Sequence, residues 1–318
     1  MIDYKLLTFS LLNLTTIFVN LFLQITSEVQ TAVNIDILRS YANILSNSTF
    51  NELVRGEDFS YLKTKIDKYD KKVTENRGLT YQEYFSHIFD SLKVNYRNEY
   101  IYKNFIINKI LLGKHTLNTT NVLNEFRINK SIADLVLING TSRVYEIKTE
   151  LDNEYRLSSQ ISDYKKVFKE IYVVTHHSLK DKYLTLLDDD IGLIILTDNY
   201  TLKTVRKSEI NEHFDNLSIL KCLRKSEYTN IILNYFGYIP QVTDFRFYTT
   251  CKELFLKIPS NDLHNLMMQE LKKRTVKEKE ILASQIVPEE LKHICFCLDF
   301  NKNEYNFLNS LLRKKILI

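Results

Sequence analysis

At 318 residues, with 44% hydrophobic and 26% charged side chains, the chain has the make-up of a globular protein of one large domain or two modest ones, which excludes a fibrous or intrinsically disordered chain. A net charge of +4 neither demands nor excludes a polyanionic partner, because the local placement of lysine and arginine matters more than the total. The four cysteines, Cys222, Cys251, Cys295 and Cys297, match neither zinc-ligand nor disulfide spacing, so reduced thiols and a cytoplasmic location are expected.

Leu6 to Ile25 carries no charge. Asn13, Thr16, Asn20 and Gln24 recur at offsets of three and four and make a polar stripe opposite Leu7, Leu11, Leu14, Phe18, Leu21 and Ile25. This pattern predicts an amphipathic helix that docks on a partner protein or a second copy, with membrane insertion as the alternative, and no small-residue cleavage site follows it. Apolar periodicity through Ile35–Leu45, Phe50–Ile66 and Tyr81–Leu92 makes residues 1–90 a helical N-terminal lobe. Within it, the polar run from Asp67 to Gly78 reads as an exposed connection.

A further helix is predicted from Tyr96 to Leu112, closed by Gly113. The pattern then changes to short runs rich in Val, Ile, Leu, Phe and Tyr. Asn121–Ile128, Ala133–Ile138 and Arg143–Thr149, divided by Asn-Lys-Ser and Asn-Gly-Thr-Ser turns, read as a three-stranded meander. A helix over Asn153–Lys169, a buried strand at Ile171–Thr175, a short helix and a strand at Ile191–Leu196 complete an α/β core over residues 91–205. Residues 206–318 read as mostly helical, and the clusters Lys272-Lys273-Arg274 and Arg313-Lys314-Lys315 read as solvated helix faces, with contact to nucleic-acid phosphates as the alternative.

In the third strand the period of two sets Glu146 and Lys148 on one face and Tyr145 and Ile147 on the other. Charges amid apolar strand residues need a partner or a function, since burying one unpaired costs several kcal/mol. In isolation this pair would be an ordinary salt-bridged face. Asp134, however, interrupts the preceding strand, and a short turn brings the two strands side by side, so two carboxylates converge beside an ammonium. Carboxylate-held Mg²⁺ can neutralise the charge that develops during phosphodiester hydrolysis, and the lysine can orient the attacking water.

Asp134 with Glu146-Ile147-Lys148 resembles the signature of the PD-(D/E)XK nuclease superfamily, with Ala133 in place of the often-degenerate proline. Gln160-Ile161-Ser162-Asp163-Tyr164 resembles the Q-x-x-x-Y motif of its RecB-like members, with Arg156 one turn earlier. Asn95–Thr175 is also similar to an uncharacterised bacterial family of predicted nucleases with an sce-type locus name. The resemblance implies a restriction-endonuclease-like core, a mixed sheet flanked by helices. It also implies a Mg²⁺-dependent hydrolase, with Mn²⁺ able to substitute, that cuts nucleic acid, DNA foremost. Asp134 and Glu146 would hold metal, with Glu99 assisting or else merely pairing with Lys103, while Lys148, Gln160 and Tyr164 complete the site. Defence against phage or mobile DNA follows only by association. The competing expectation is an idle nuclease fold that binds nucleic acid or a partner protein, with the N-terminal helix or the C-terminal region as the surface for a partner or second copy. His176-His177, expected at a turn with rings pointing apart, is not assigned to the site, and Glu125 and Arg127 share a strand face on which they can pair or take a minor part in DNA contact.

Overall fold

The computed structural model describes residues 34–109 and 120–316. The helix expected at residues 6–25 and the helix end expected at Gly113 lie outside them. Among the described residues no helix is long and apolar enough to cross a membrane.

The N-terminal helices are α1 (Ile35–Ile44), α2 (Asn47–Arg55), α3 (Ser60–Lys65), α4 (Lys71–Arg77), α5 (Tyr81–Asn95) and α6 (Glu99–Ile106). Side-chain caps mark three of their starts: Asn34 before α1, Ser46 before α2, and the Thr80–Glu83 capping box before α5. The expected exposed connection at 67–78 is instead helical. A π turn, Ile66–Asp70, joins α3 to α4, and Gly78 closes α4 in the left-handed conformation at φ 57°. Periodicity misses this segment because its inward side is polar. Buried Asp70 accepts hydrogen bonds from Tyr41 Oη at 2.6 Å and Tyr84 Oη at 2.7 Å, and the buried Thr74 hydroxyl donates back to the Asp70 carbonyl at 3.1 Å.

The sheet has strand order β1 (Asn121–Ile128), β2 (Ser131–Ile138), β3 (Ser142–Lys148), β4 (Glu170–His176), β5 (Gly192–Leu196) and β6 (Leu202–Arg206). The first three are the expected antiparallel meander, turning at Asn129 (φ 51°) and Gly140 (φ 65°), both in the left-handed region that tight turns require. β4 and β5 run parallel to β3 after the helices α7 (Leu157–Lys165) and α8 (Lys180–Leu186), and every residue of both strands is buried, as befits strands covered on two faces. β6 returns antiparallel as an edge strand of intermediate and exposed residues. Its polar, half-exposed sequence carries no apolar alternation, which is why the sequence pattern does not announce it.

The C-terminal helices are α9 (Asn216–Cys222), α10 (Lys225–Phe236), α11 (Asp244–Phe255), α12 (Ser260–Lys272), α13 (Lys279–Ala283), α14 (Lys292–Leu298) and α15 (Lys302–Leu312). They divide between two hydrophobic clusters. Residues from α13–α15 join the N-terminal helices and the side of the sheet that carries Leu135, Leu137, Tyr145, Ile147, Tyr172 and Val174. Residues from α9–α12 join α7 and the side that carries Val136, Ile138, Val144, Ile171 and Val173. The protein is thus a mixed α/β structure whose six-stranded sheet is sandwiched by helices from both ends of the chain. The first cluster runs across both the 90/91 and the 205/206 boundaries drawn from the sequence, and the second runs across 205/206.

Candidate active site

Two antiparallel strands and two helices bring the expected residues together. Glu146 and Lys148 project from β3 on the side opposite Tyr145 and Ile147, which belong to the other hydrophobic cluster. Both are buried, at 2% and 9% exposure. Lys148 Nζ donates to Glu146 Oε1 at 2.8 Å and to Gln160 Oε1 at 3.2 Å. From the next turn of α7, Tyr164 Oη lies 2.6 Å from Glu146 Oε2 and 3.0 Å from the Ile132 carbonyl, and Gln160 Nε2 donates to it at 3.4 Å. Burial and the Glu146 charge hold the Tyr164 hydroxyl far above the ordinary tyrosine range, so it is a hydrogen-bond donor throughout physiological pH. The i,i+4 spacing of Gln160 and Tyr164 thus aims both at one strand pair, while Arg156 lies exposed at the start of α7.

Asp134 is fixed on β2, where its Oδ2 accepts the Ile147 backbone N–H at 2.7 Å. Burial first, then the charges of Glu146 and Glu99, push its carboxyl well above the usual carboxylate range against the opposing pull of Lys103. The sequence reading missed the centre of this arrangement. Lys103, on α6 with a side chain only 4% exposed, reaches Glu99 Oε1 at 2.5 Å, Glu125 Oε1 at 3.4 Å and Asp134 Oδ1 at 3.8 Å. Burial lowers its pKa, but the charges of Asp134, Glu99 and Glu125 outweigh burial and hold it raised, so it stays an ammonium. The only sequence signal was its i+4 offset from Glu99, which reads as an ordinary helix pair. Glu125 meets Lys103 rather than Arg127. Asn124 opposes Leu135 and Phe126 opposes Ala133, so Glu125 stands across from Asp134, and its backbone adopts φ 50°, a conformation non-glycine residues rarely hold. Its carboxylate meets Lys103, while Arg127 is exposed.

The donors suit the ion that the resemblance implies. Glu99, Asp134 and Glu146 offer oxygen only, as Mg²⁺ prefers, and burial together with the charges of Glu146 and Glu99 raises the Asp134 pKa, a penalty that a bound dication would relieve. The three carboxylates are not drawn into one tight cage. Lys103 holds Glu99 and Asp134, whereas Lys148 and Tyr164 hold Glu146.

Glu125 also lines a cleft of about 730 Å³ beside β1, bordered by the exposed cations Arg127, Lys221 and Arg224. The nearby Arg274 is not the solvated charge expected from its basic run. Its guanidinium grips Glu227 at 2.6 Å and lies over the Phe126 ring, and Lys273 pairs with Glu270. Two acidic residues beyond β3 have other roles. Asp152 accepts from the Thr149 backbone N–H at 2.8 Å, and Glu150 accepts from Tyr102 Oη at 2.8 Å. The expectation that His176 and His177 point apart is also corrected, since His177 Nδ1 lies 3.0 Å from His176 Nε2. A 3-10 turn beginning at His177 folds its ring back toward the end of β4.

Protein cII of Enterobacteria phage P4 is 24% identical to this chain over 130 residues, which cover 39% of the chain and 49% of that protein. The chain therefore spans about half the length of this relative. Among solved structures, a protein of unknown function from Silicibacter pomeroyi aligns at 15% identity over 39% of this chain and 86% of its own, with a TM-score of 0.27, too loose a superposition to inform the fold. The family model described as bacteriophage P4 protein cII matches residues 92–295, from the end of α5 through the entire sheet to α14. Because that match takes in well over half of the sequence, the chain belongs to the bacteriophage P4 protein cII family.

Proposed function

We propose that the protein is a metal-dependent nuclease built on a restriction-endonuclease-like core, acting on DNA. The observation that carries this reading is the convergence of Asp134 from β2, Glu146 and Lys148 from β3, and Gln160 and Tyr164 from α7 on one polar cluster inside an apolar sheet. Such a cluster is costly to bury without a use for it. The antiparallel β1–β2–β3 meander, followed by parallel β4 and β5 through helical crossovers, supports the core assignment.

Asp134 and Glu146, with Glu99 beside them, would hold Mg²⁺, which when bound supplies charge neutralisation at the scissile phosphate. The chain's own groups do the rest. The Ile147 N–H anchors Asp134 and the Tyr164 hydroxyl anchors Glu146, which limits the movement each carboxylate needs to meet the ion. The Lys148 ammonium, held between Glu146 and Gln160, is positioned to orient an attacking water and to offset charge in the transition state. Arg127, Lys221 and Arg224 give the neighbouring cleft the positive border that phosphates require.

The test incubates the purified chain with circular and linear DNA, single and double stranded, and with RNA, in Mg²⁺, Mn²⁺ or EDTA, beside Asp134→Ala and Lys148→Ala. Cleavage by the wild type that needs the metal and is lost in both variants is the expected outcome; equal products from the variants would refute the assigned site. One observation favours a second reading, a nucleic-acid-binding module with an idle site. The Lys103 ammonium already pairs with Glu99 and Asp134 where a metal would sit. On that reading DNA is bound and never cut, with or without divalent metal.

A further inference from the structure

A second cluster, independent of the nuclease reading, lies where the parallel strands end. β4 pairs with β5 so that His176 stands beside Leu196, which carries Asp198, two residues on, to the same end of the sheet. His176 Nε2 lies 3.3 Å from Asp198 Oδ1, His177 Nδ1 lies 3.5 Å from Asp198 Oδ2, and the two ring nitrogens are 3.0 Å apart. Among the described residues this is the group whose His, Cys or acidic donor atoms come within 4.8 Å of one another. We propose that His176, His177 and Asp198 bind one divalent transition-metal ion of the zinc class.

Three features carry the proposal. A tetrahedral ion with bonds of about 2.0–2.1 Å spaces its donors by about 3.3 Å, close to the separations seen here. The outer contacts allow the ligating tautomer: His176 Nδ1 lies 3.3 Å from the Glu150 Oε1 acceptor and 2.9 Å from Ser178 Oγ, and although the Ser178 backbone N–H also approaches it at 3.4 Å, metal on Nε2 would put the proton on Nδ1, where Glu150 can accept it. Glu150 is fixed in turn by Tyr102 Oη at 2.8 Å and Arg97 at 3.2 Å, and Arg97 also lies 3.3 Å from Asp198. Finally, the charge suits a dication, since two carboxylates against one guanidinium leave a net negative charge around neutral imidazoles. Two imidazoles and a carboxylate select zinc, nickel or copper over Mg²⁺, and three protein ligands leave a position open for water or substrate.

The full-length chain, stripped with EDTA and dialysed, is titrated with Zn²⁺ against a chromophoric chelator, and with Co²⁺ while its visible spectrum is recorded. One equivalent bound, with a Co²⁺ ligand-field band, is expected. His177→Gln and Asp198→Asn, at positions whose side chains are 45% and 68% exposed, should each weaken binding at least tenfold without unfolding the chain. Glu150→Gln should weaken it about tenfold while the Co²⁺ band persists, the mark of a positioning residue. An Asp134→Asn, Glu146→Gln double variant should keep its zinc equivalent whether or not the chain proves to be a nuclease. Failure of the wild type to bind Zn²⁺ or Co²⁺ at micromolar concentrations overturns the proposal, and so does undiminished binding by His177→Gln and Asp198→Asn.

Discussion

Replacing Lys103 by methionine keeps the length of the side chain and removes the ammonium from between Glu99, Glu125 and Asp134. Breaking a fully buried ion pair costs about 3–5 kcal/mol because it strands a charge. Here the loss is smaller. Glu99 and Glu125 have side chains 52% and 59% exposed and can turn to water, so the stranded charge is that of Asp134, 17% exposed. A cost of about 2 kcal/mol follows, or a fall in Tm of roughly 4–8 °C. The deficit should depend on pH. An acid whose folded pKa is raised favours the folded state most at low pH, and that contribution is lost as pH rises through the raised value, so Lys103→Met should be closer to wild type at pH 5 than at pH 8. A dication bound by the vacated carboxylates would replace the ammonium, and at ten times its Kd would restore about 1.4 kcal/mol. The assay is thermal unfolding of both proteins at the two pH values, with EDTA or Mg²⁺. An unchanged Tm for the variant, or an equal Mg²⁺ shift in both proteins, would refute the view of Lys103 as a resident counter-cation of the acidic site.

Four further outcomes are expected. Asp134→Asn keeps an acceptor for the Ile147 N–H but removes a charge held at an unfavourable pKa, so without metal it should be more stable than wild type at pH 8 by on the order of 1 kcal/mol, with the gain vanishing near pH 4, and on the proposed nuclease reading it should also abolish cleavage of DNA. Asp70→Ala strands the buried hydroxyls of Tyr41 and Tyr84 and should lower stability by about 2–4 kcal/mol in urea unfolding. His264, buried against Phe214 and 2.8 Å from Ser142 Oγ, has its pKa pushed down to about 4 by burial, so it adds stability above the ordinary histidine value that is lost as pH falls from about 6.5 toward 4; His264→Gln should flatten the acid limb of the stability curve measured over that range. Replacing Arg127, Lys221 and Arg224 by glutamine should weaken binding to duplex DNA and reduce the slope of log K against log salt by about 2–3, which fluorescence anisotropy at several salt concentrations would read.

Much of the architecture is local and therefore legible in the sequence. The β1–β3 meander follows from period-two apolar runs closed by Asn129 and Gly140, and the site motif follows because strand alternation sends Glu146 and Lys148 one way and helical spacing aligns Gln160 with Tyr164. Other features arise only when distant segments meet. The helical run through Asp70 is invisible to periodicity because its buried side is satisfied by Tyr41 and Tyr84, hydroxyls from two other helices. Lys103 becomes the hub of the acidic site only when α6 meets the β1–β2 pair, and Asp198 joins the two histidines only through the register of β4 on β5. The amino-acid sequence by itself determined which side chains carry charge into the sheet, because alternation and turn chemistry act over a few residues. Tertiary structure alone decided which charges neutralise which, because Coulomb interactions and desolvation depend on distance and burial, and these are set by residues far apart in the chain.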